Sequence, residues 1–150
     1  MPLNQSFVGR TYPPTEPYEV GREKIREFAK AIGDANPAYT DQRAAKTLGH
    51  PDVIAPLTFP FVITYPATAQ VVDDPELGLD FSRVVHGDQK FTYIRPVHAG
   101  DQLSVVCAIE AIKSVAGNDF ISISGKVYDQ YGGHVVTSTM MLVARAPEGE

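Results

Sequence analysis

The 150-residue sequence has a single cysteine, Cys107, and no apolar run long enough to cross a bilayer. One cysteine excludes an internal disulfide bond and a cysteine cluster for structural zinc. A spanning helix needs about 20 apolar residues, and residues 1–10 lack the basic segment followed by an apolar segment that begins a secretory signal. We therefore expect a cytoplasmic protein with no membrane contact. Cys107 lies in an apolar run, where a buried, unreactive thiol is expected.

Basic residues are few: 13 Lys and Arg stand against 18 Asp and Glu, which gives a net charge of −5 at pH 7. A negatively charged chain repels polyanions, so we expect no nucleic acid as a partner. The hydrophobic fraction of 43% is enough to offset the entropy of ordering the chain. The sequence therefore predicts one folded domain over residues 1–150.

Three kinds of functional sequence are missing. The chain has no Gly-rich phosphate-binding loop, no Gly-x-Ser-x-Gly turn and no His and carboxylate spacing typical of a metal site. These absences argue against a serine hydrolase and a metalloenzyme. We expect neither a metal ion nor an organic cofactor.

Helical spacing appears in the first half of the chain. Apolar residues recur at i, i+3, i+4 and i+7 from Ile25 to Ile32, which predicts an amphipathic helix over about residues 22–32 that Gly33 ends. A second, short helix is predicted over about residues 42–48. On the outward face of the first helix, ion pairing is favoured over attraction of an acidic partner or a phosphate group. The charged residues concerned are Arg22, Glu23, Lys24, Arg26, Glu27 and Lys30, with Glu23 predicted to pair with Arg26 and Glu27 with Lys30.

Residues 57–72 are apolar nearly all round, which predicts a long buried helix. Pro66 lacks a backbone N–H, so it should bend this helix or split it, and a kink is expected there. The second half of the chain instead alternates apolar and polar residues, which is typical of strands in an antiparallel sheet with one buried face. An α+β protein follows, with a curved antiparallel sheet wrapped around one long buried helix, which is the hot-dog fold. The predicted strands cover about residues 84–94, 102–114, 120–129 and 135–145.

Several motifs resemble a known family. GDANPAY at residues 33–39 is similar to the signature of the MaoC-like (R)-specific enoyl hydratases and dehydratases, in which Gly-Asp-x-Asn-Pro leads to a His. Tyr39 stands at the position of that His. HGDQKF at residues 86–91 and RPVHAGD at 95–101 resemble the strand and turn that follow the helix in the same superfamily, and IAPLTF at 54–59 resembles the segment that enters the helix.

The resemblance covers nearly the whole chain and is closest to the single hot-dog subunits of actinobacterial (3R)-hydroxyacyl-acyl-carrier-protein dehydratases. In that type two different subunits pair: one carries an Asp and His dyad, and the other lacks the His and supplies mainly the acyl-chain channel. Tyr39 makes this chain resemble the second kind. The resemblance implies an acyl-CoA or acyl-carrier-protein thioester as the ligand and a role in fatty acid metabolism. It implies a dimer, either a heterodimer with a dyad-bearing hot-dog subunit or a homodimer.

The resemblance makes Asp34, Tyr39 and His86 the candidate catalytic residues. Tyrosine is a poor base because its pKa lies near 10, whereas that of histidine lies near 6.5. Its hydroxyl can still donate a proton or a hydrogen bond. Asp34 equally fits a turn-forming aspartate, and His86 a structural hydrogen bond at a strand end. His50 would replace the missing base only if its loop folded over Asp34.

Four further residues are candidate substrate-binding groups. Asn36 belongs to the family motif, although Asn-Pro is also a plain turn signal. Pro56 and Phe59 lie where the chain enters the buried helix, which borders the acyl channel in the family. Gly87 permits a backbone N–H to approach a substrate oxygen. For Phe59, packing in the core is the alternative role.

Three functions remain open from the sequence. The first is an acyl-thioester-binding subunit that contributes to (3R)-hydroxyacyl dehydration or enoyl hydration with a dyad-bearing partner. The second is a self-sufficient homodimeric hydratase that uses Asp34. The third is a non-enzymatic acyl-binding module, in which Asp34 and Asn36 serve only as turn formers.

Overall fold

The computed structural model describes residues 3–147. Both predicted amphipathic helices and all four predicted strands are present, each within three residues of its expected ends. In chain order the elements are β1 (Tyr18–Glu19), α1 (Arg22–Ala31), α2 (Gln42–Thr47), α3 (Phe61–Ala67), α4 (Ala69–Val72), β2 (Val84–Tyr93), β3 (Gln102–Val115), β4 (Asn118–Tyr128) and β5 (His134–Ala144). None of the helices in residues 3–147 is long and apolar enough to cross a membrane.

The strands form one antiparallel sheet in the order β1-β3-β4-β5-β2. β3 and β4 extend further than predicted because their hairpin turn has only two residues, Ala116 and Gly117, both with positive φ (53° and 80°). Such a turn matches the right-handed twist of the strands that it joins. The curved sheet packs its inner face against α3 and α4, which gives the predicted α+β arrangement.

One edge of the sheet is covered by the N-terminal segment. Besides β1, residues 9–15 run beside β3, where the Gly9 N–H donates to the Ile109 carbonyl at 2.8 Å and the Tyr12 N–H donates to the Cys107 carbonyl at 2.9 Å. At the opposite edge, β2 pairs with β5 alone among the described residues. The sheet therefore has one protected edge and one open edge.

The predicted long helix over residues 57–72 is wrong in its length. Residues 57–60 form turns, and the helix is divided at Thr68 into α3 and α4. Pro66, near the end of α3, cannot donate a backbone hydrogen bond to the Val62 carbonyl, which weakens the helix just before the division. The predicted burial all round is also wrong, because Leu57 is 65% exposed and Tyr65 is 42% exposed. The segment buries one face on the sheet and leaves the other beside the open edge.

Close packing seats α3 on the middle of the sheet. A Cβ added at Gly125 of β4 would lie 3.7 Å from Thr64 Cβ and 3.2 Å from Val105 Cγ1, so the helix approaches the strand at its least bulky residue. Cys107 is fully buried on the same inner face, as predicted. Burial raises the pKa of its thiol to about 11, which leaves it protonated at neutral pH.

Arg95 links two of the connections between strands, the β2–β3 connection in which it lies and the β4–β5 turn. Its guanidinium binds Asp101 in two places, Nη1 to Oδ2 at 3.0 Å and Nη2 to Oδ1 at 2.9 Å. Nη2 also donates to Asp129 Oδ2 at 3.0 Å, in the turn between β4 and β5. Asp101 accepts a further hydrogen bond from the His98 backbone N–H at 3.0 Å. These contacts fix the end of β2 to the start of β3 and to the β4–β5 turn.

Asp101→Asn tests how much the ion pair between Arg95 and Asp101 contributes to the stability of the protein. Asp101 is 1% exposed, and the substitution removes one of the two carboxylates that bind the half-buried Arg95 side chain, leaving Asp129. We expect the free energy of unfolding to fall by about 2 kcal/mol, measured by urea titration. The exposed Asp73→Asn is the control and should change it by less than about 0.5 kcal/mol. Equal effects of the two substitutions would contradict the structural role of Asp101.

Asp129 gives the same cluster a pH dependence. Burial raises its pKa, but hydrogen bonds from Arg95 and from the Gly133 and Tyr131 N–H groups outweigh burial, so the pKa of Asp129 lies below its ordinary value. A lowered folded pKa stabilises the protein above the unfolded value near 4, and this stabilisation is lost as pH falls through the folded pKa. Asp129→Asn should therefore lower the free energy of unfolding at about pH 6, with a difference from wild type that shrinks towards about pH 2. A difference independent of pH would exclude this linkage.

Candidate functional site

The GDANPAY motif forms a tight loop after α1. Gly33 has a φ of +73°, which turns the chain away from the helix as a C-terminal glycine should. The Asp34 N–H then donates to the Ala29 carbonyl at 3.0 Å, and the Asp34 carboxylate accepts a hydrogen bond from the Asn36 N–H at 3.2 Å. The turn-forming role considered for Asp34 is therefore present in the structure.

Asn36 has a similar local role. Its Oδ1 accepts from the Ala38 N–H at 3.0 Å and caps the short 3₁₀ helix Pro37–Tyr39. Pro37 occupies the first position of that helix, where its missing N–H costs nothing. The loop thus uses its own polar side chains to present Tyr39 at a defined position beside Asp34.

Tyr39 is half-buried next to the Asp34 carboxylate. Burial raises the pKa of its phenol, and the negative charge of Asp34 raises it further, while the nearby Asn36 side chain opposes the shift. The phenol therefore remains protonated at neutral pH. At this position the chain presents a hydrogen-bond donor and proton source, not a base.

Tyr93 is a member of this site that the sequence did not indicate. Burial raises the pKa of Tyr93, and the neighbouring Tyr39 raises it further. The Tyr93 hydroxyl donates to the Leu57 carbonyl at 2.7 Å. The bond ties the last residue of β2 to the turn that leads into α3. The sequence signal that could have indicated Tyr93 is the alternation of residues along β2. This alternation places Tyr93 on the inner face of the sheet, opposite the buried Val136.

A shallow cleft of about 440 Å³ borders Asp34 on the side of α1 and is also lined by Arg26 and Lys30. Ion pairing, as favoured from the sequence, accounts for most basic residues of α1. Arg26 pairs with Glu23, as predicted. Glu27 pairs with Lys24 at 3.1 Å instead of the predicted Lys30. Arg22 binds both carboxylate oxygens of Asp52, at 3.1 and 2.8 Å.

His86 lies at the opposite end of β2 from this site. Tyr93, which neighbours Tyr39, is seven residues further along the strand, a separation of about 20 Å. A single chain therefore does not bring His86 to Asp34. The His50 side chain forms no hydrogen bond or ion pair with Asp34 within residues 3–147.

His86 has its own set of contacts. Its Nε2 lies 3.2 Å from Gln89 Oε1, and the Gln89 amide nitrogen donates to Ser138 Oγ at 2.7 Å. The ring meets Phe61 edge-on, with centroids 5.9 Å apart. The pairing of β2 with β5 shifts register between His86 and Asp88, so a bulge re-aims this end of the edge strand.

The remaining candidates have packing roles in the structure. Phe59 is fully buried and meets Phe28 edge-on at 5.5 Å, and Pro56 is buried beside it in the chain. A Cβ added at Gly87 would lie 3.1 Å from both Met141 Cε and Val143 Cγ2, so β5 side chains occupy the space beside this glycine. Within residues 3–147, no three His, Cys, Asp or Glu side chains are grouped so as to hold a metal ion.

Comparison with known proteins places this geometry in a family. Residues 6–138 match the family described as FAS1-like, dehydratase domain region. A UPF0336 protein of Streptomyces coelicolor is 70% identical over 148 residues, which are 99% of this chain and 99% of that protein.

Solved structures give the same result. A MaoC-like dehydratase has a TM-score of 0.88 and 33% identity, and the match covers 96% of this chain but 44% of that chain. The truncated HadBC (3R-hydroxyacyl-ACP dehydratase) complex of Mycobacterium tuberculosis has a TM-score of 0.82 and 29% identity, covering 91% of this chain and 96% of that chain. The chain thus belongs to the FAS1-like dehydratase-region family and has the hot-dog fold of the MaoC-like dehydratases.

Proposed function

We propose that this chain is the acyl-thioester-binding subunit of a (3R)-hydroxyacyl dehydratase of the enoyl hydratase type. It supplies the acyl channel to a partner subunit that carries the Asp and His dyad. The observation that carries the proposal is Tyr39, which occupies the histidine position of the motif and has a raised pKa beside Asp34.

The chemistry explains why this residue matters. Dehydration of a 3-hydroxyacyl thioester removes a proton from C2 and protonates the departing hydroxyl group, so it needs both a base and an acid. Histidine exchanges protons near neutral pH, whereas a tyrosine with a raised pKa is restricted to donating. Asp34 and Tyr39 therefore lack the imidazole that serves as one half of the family dyad.

The open edge of the sheet supports association with a second hot-dog subunit. β2 presents ten residues of edge strand with Val85 exposed near one end, and Ile94 is exposed directly after it. An uncovered edge of this length is normally paired or blocked in a stable protein. The 29% identical chain, of which the match covers 96%, belongs to a structure described as the HadBC (3R-hydroxyacyl-ACP dehydratase) complex.

A self-sufficient homodimeric hydratase is the second candidate. The observation that favours it is the proximity of Asp34 to Tyr39, where the carboxylate raises the pKa of the phenol, so that a carboxylate and a proton donor lie in one place. A group from outside this pair would then have to serve as the base. A non-enzymatic acyl-binding module is the outcome if acyl thioesters bind and no partner confers turnover.

The deciding experiment follows the loss of enoyl-thioester absorbance with trans-2-enoyl-CoA. The purified chain alone should bind the acyl-CoA without hydrating it, because it lacks the dyad histidine. Addition of a hot-dog chain with an intact Gly-Asp-x-Asn-Pro-x-His motif should start hydration. If the chain alone hydrates the substrate and Asp34→Asn abolishes the reaction, the homodimeric hydratase replaces the present proposal.

Tyr39→His tests whether the loop still has the geometry of the family dyad. The substitution restores an imidazole beside Asp34, so the chain alone should gain hydration activity at least about tenfold above the wild-type chain. Tyr131→His, at a turn residue that is 89% exposed, controls for an added imidazole elsewhere and should give no gain. A folded Tyr39→His chain without any gain would mean that more than the histidine has been lost.

A further inference from the structure

Three polar side chains interrupt the apolar inner face of the sheet at its open edge. In the strand register, His86 lies opposite Leu142 and Gln89 lies opposite Met140, both of which are buried core residues. Ser138, two residues before Met140 on β5, is 2% exposed. Polar groups on a core face destabilise the protein unless they are hydrogen-bonded, so these three side chains need hydrogen-bond partners.

Their hydrogen bonds fix the state of the imidazole. The Gln89 amide nitrogen donates to Ser138 Oγ at 2.7 Å and to the Lys90 carbonyl at 3.4 Å. A carbonyl oxygen only accepts hydrogen bonds, so the Gln89 amide nitrogen is the atom that faces the Lys90 carbonyl. The Gln89 Oε1 then faces His86 Nε2 at 3.2 Å. This network assigns the proton to Nε2. In the neutral ring, Nδ1 is then a hydrogen-bond acceptor.

Aromatic side chains form a wall beside this acceptor. Phe61 lies edge-on to the His86 ring, and Phe61 stacks on Tyr65 with centroids 5.0 Å apart. His86 and Tyr65 are both exposed, although they belong to the inner side of the open edge. Within residues 3–147 Nδ1 forms no hydrogen bond, in contrast to Nε2. The arrangement combines an apolar surface with one accessible acceptor.

A buried hydroxyl continues the polar groups into the interior. Thr64, on the helical turn after Phe61, is 1% exposed, and its Oγ1 has no partner within the described part of the chain. It lies against Gly125, whose register partner on β5 is Ser138. The unpaired hydroxyl is an independent sign that this region accommodates a polar substituent, since a purely packing role would be better served by valine.

We propose that His86, Gln89 and Ser138 form a hydroxyl-binding subsite for the acyl chain of a hydroxyacyl thioester. The acyl chain lies along Phe61 and Tyr65, and its hydroxyl group donates to His86 Nδ1. Gln89 and Ser138 are positioning residues, because they act through the imidazole. This inference rests on the thioester binding of the proposed function and adds a selectivity for hydroxylated over plain acyl chains. It does not depend on which subunit covers the open edge.

The test compares a (3R)-3-hydroxyacyl-CoA with the saturated acyl-CoA of the same length by titration calorimetry on the full chain. The wild-type chain should bind the hydroxyacyl-CoA about tenfold more tightly, as one hydrogen bond to an otherwise unpaired acceptor predicts. His86→Phe keeps an aromatic ring but removes the acceptor, so both ligands should then bind with the affinity of the saturated one. Gln89→Met should reduce the preference for the hydroxyacyl-CoA, because the imidazole loses the hydrogen bond that keeps its proton on Nε2.

His134→Phe is the matched control. Like His86, His134 forms a side-chain hydrogen bond through Nε2, in this case with Thr137 Oγ1 at 2.8 Å, but it lies at the start of β5 beside Tyr128. This variant should keep the wild-type preference. Equal binding of the two ligands by the wild-type chain, or an unchanged preference in His86→Phe, would overturn the subsite and leave thioester binding intact. Failure of both acyl-CoAs to bind would overturn thioester binding itself and the subsite with it.

Discussion

Backbone hydrogen bonding at the two edges of the sheet is the constraint on which the rest of the molecule depends. Every strand needs partners for its N–H and C=O groups on both sides, and a five-stranded sheet that does not close has two places where they are lacking. The N-terminal segment satisfies one of them along β3. The other, along β2, has no neighbouring strand in residues 3–147, and both His86 and Tyr93 lie on that strand. The unsatisfied edge and the candidate chemistry therefore coincide.

The loop that carries the family motif shows how structure and catalysis can share residues. Asp34 and Asn36 each hold the loop by a hydrogen bond to a backbone N–H two residues ahead. These roles persist whether or not the chain is catalytic, so the two residues alone are weak evidence for an active site. Tyr39 is more informative because the loop does not need its hydroxyl group to keep its shape. Tyr39, with its raised pKa, is therefore the side chain in this loop that bears most directly on function.

Much of the fold could be predicted because its signals are local. The alternation of Leu103, Val105, Cys107 and Ile109 with less apolar neighbours fixes the buried face of β3, and the structure buries all four. Residues 9–15 gave no such signal, since an edge segment held by backbone bonds needs no apolar alternation. Pro66 indicated a bend, but the division of the helix at Thr68 depends on how each half packs on the sheet.

The candidate site was harder to predict because it combines distant segments. The motif alone placed Asp34 beside Tyr39, since they are five residues apart in one turn. The approach of Tyr93 depends on the curvature of the whole sheet and on its bond to Leu57. The location of His86 at the far end of β2 likewise follows from strand direction, which the motif does not encode.

The cover over the β3 edge also shapes how the chain can fold. The hydroxyl of Thr15 accepts from the Val105 N–H, a contact between residues 90 positions apart. During synthesis the N-terminal segment emerges first, yet it must wait for more than half of the remaining chain before its partner strand exists. Contacts of such long range carry a large loop-closure entropy and form slowly. Residues 9–15 therefore stay uncovered until β3 has been synthesised, and covering this edge is a late step in the folding of the domain.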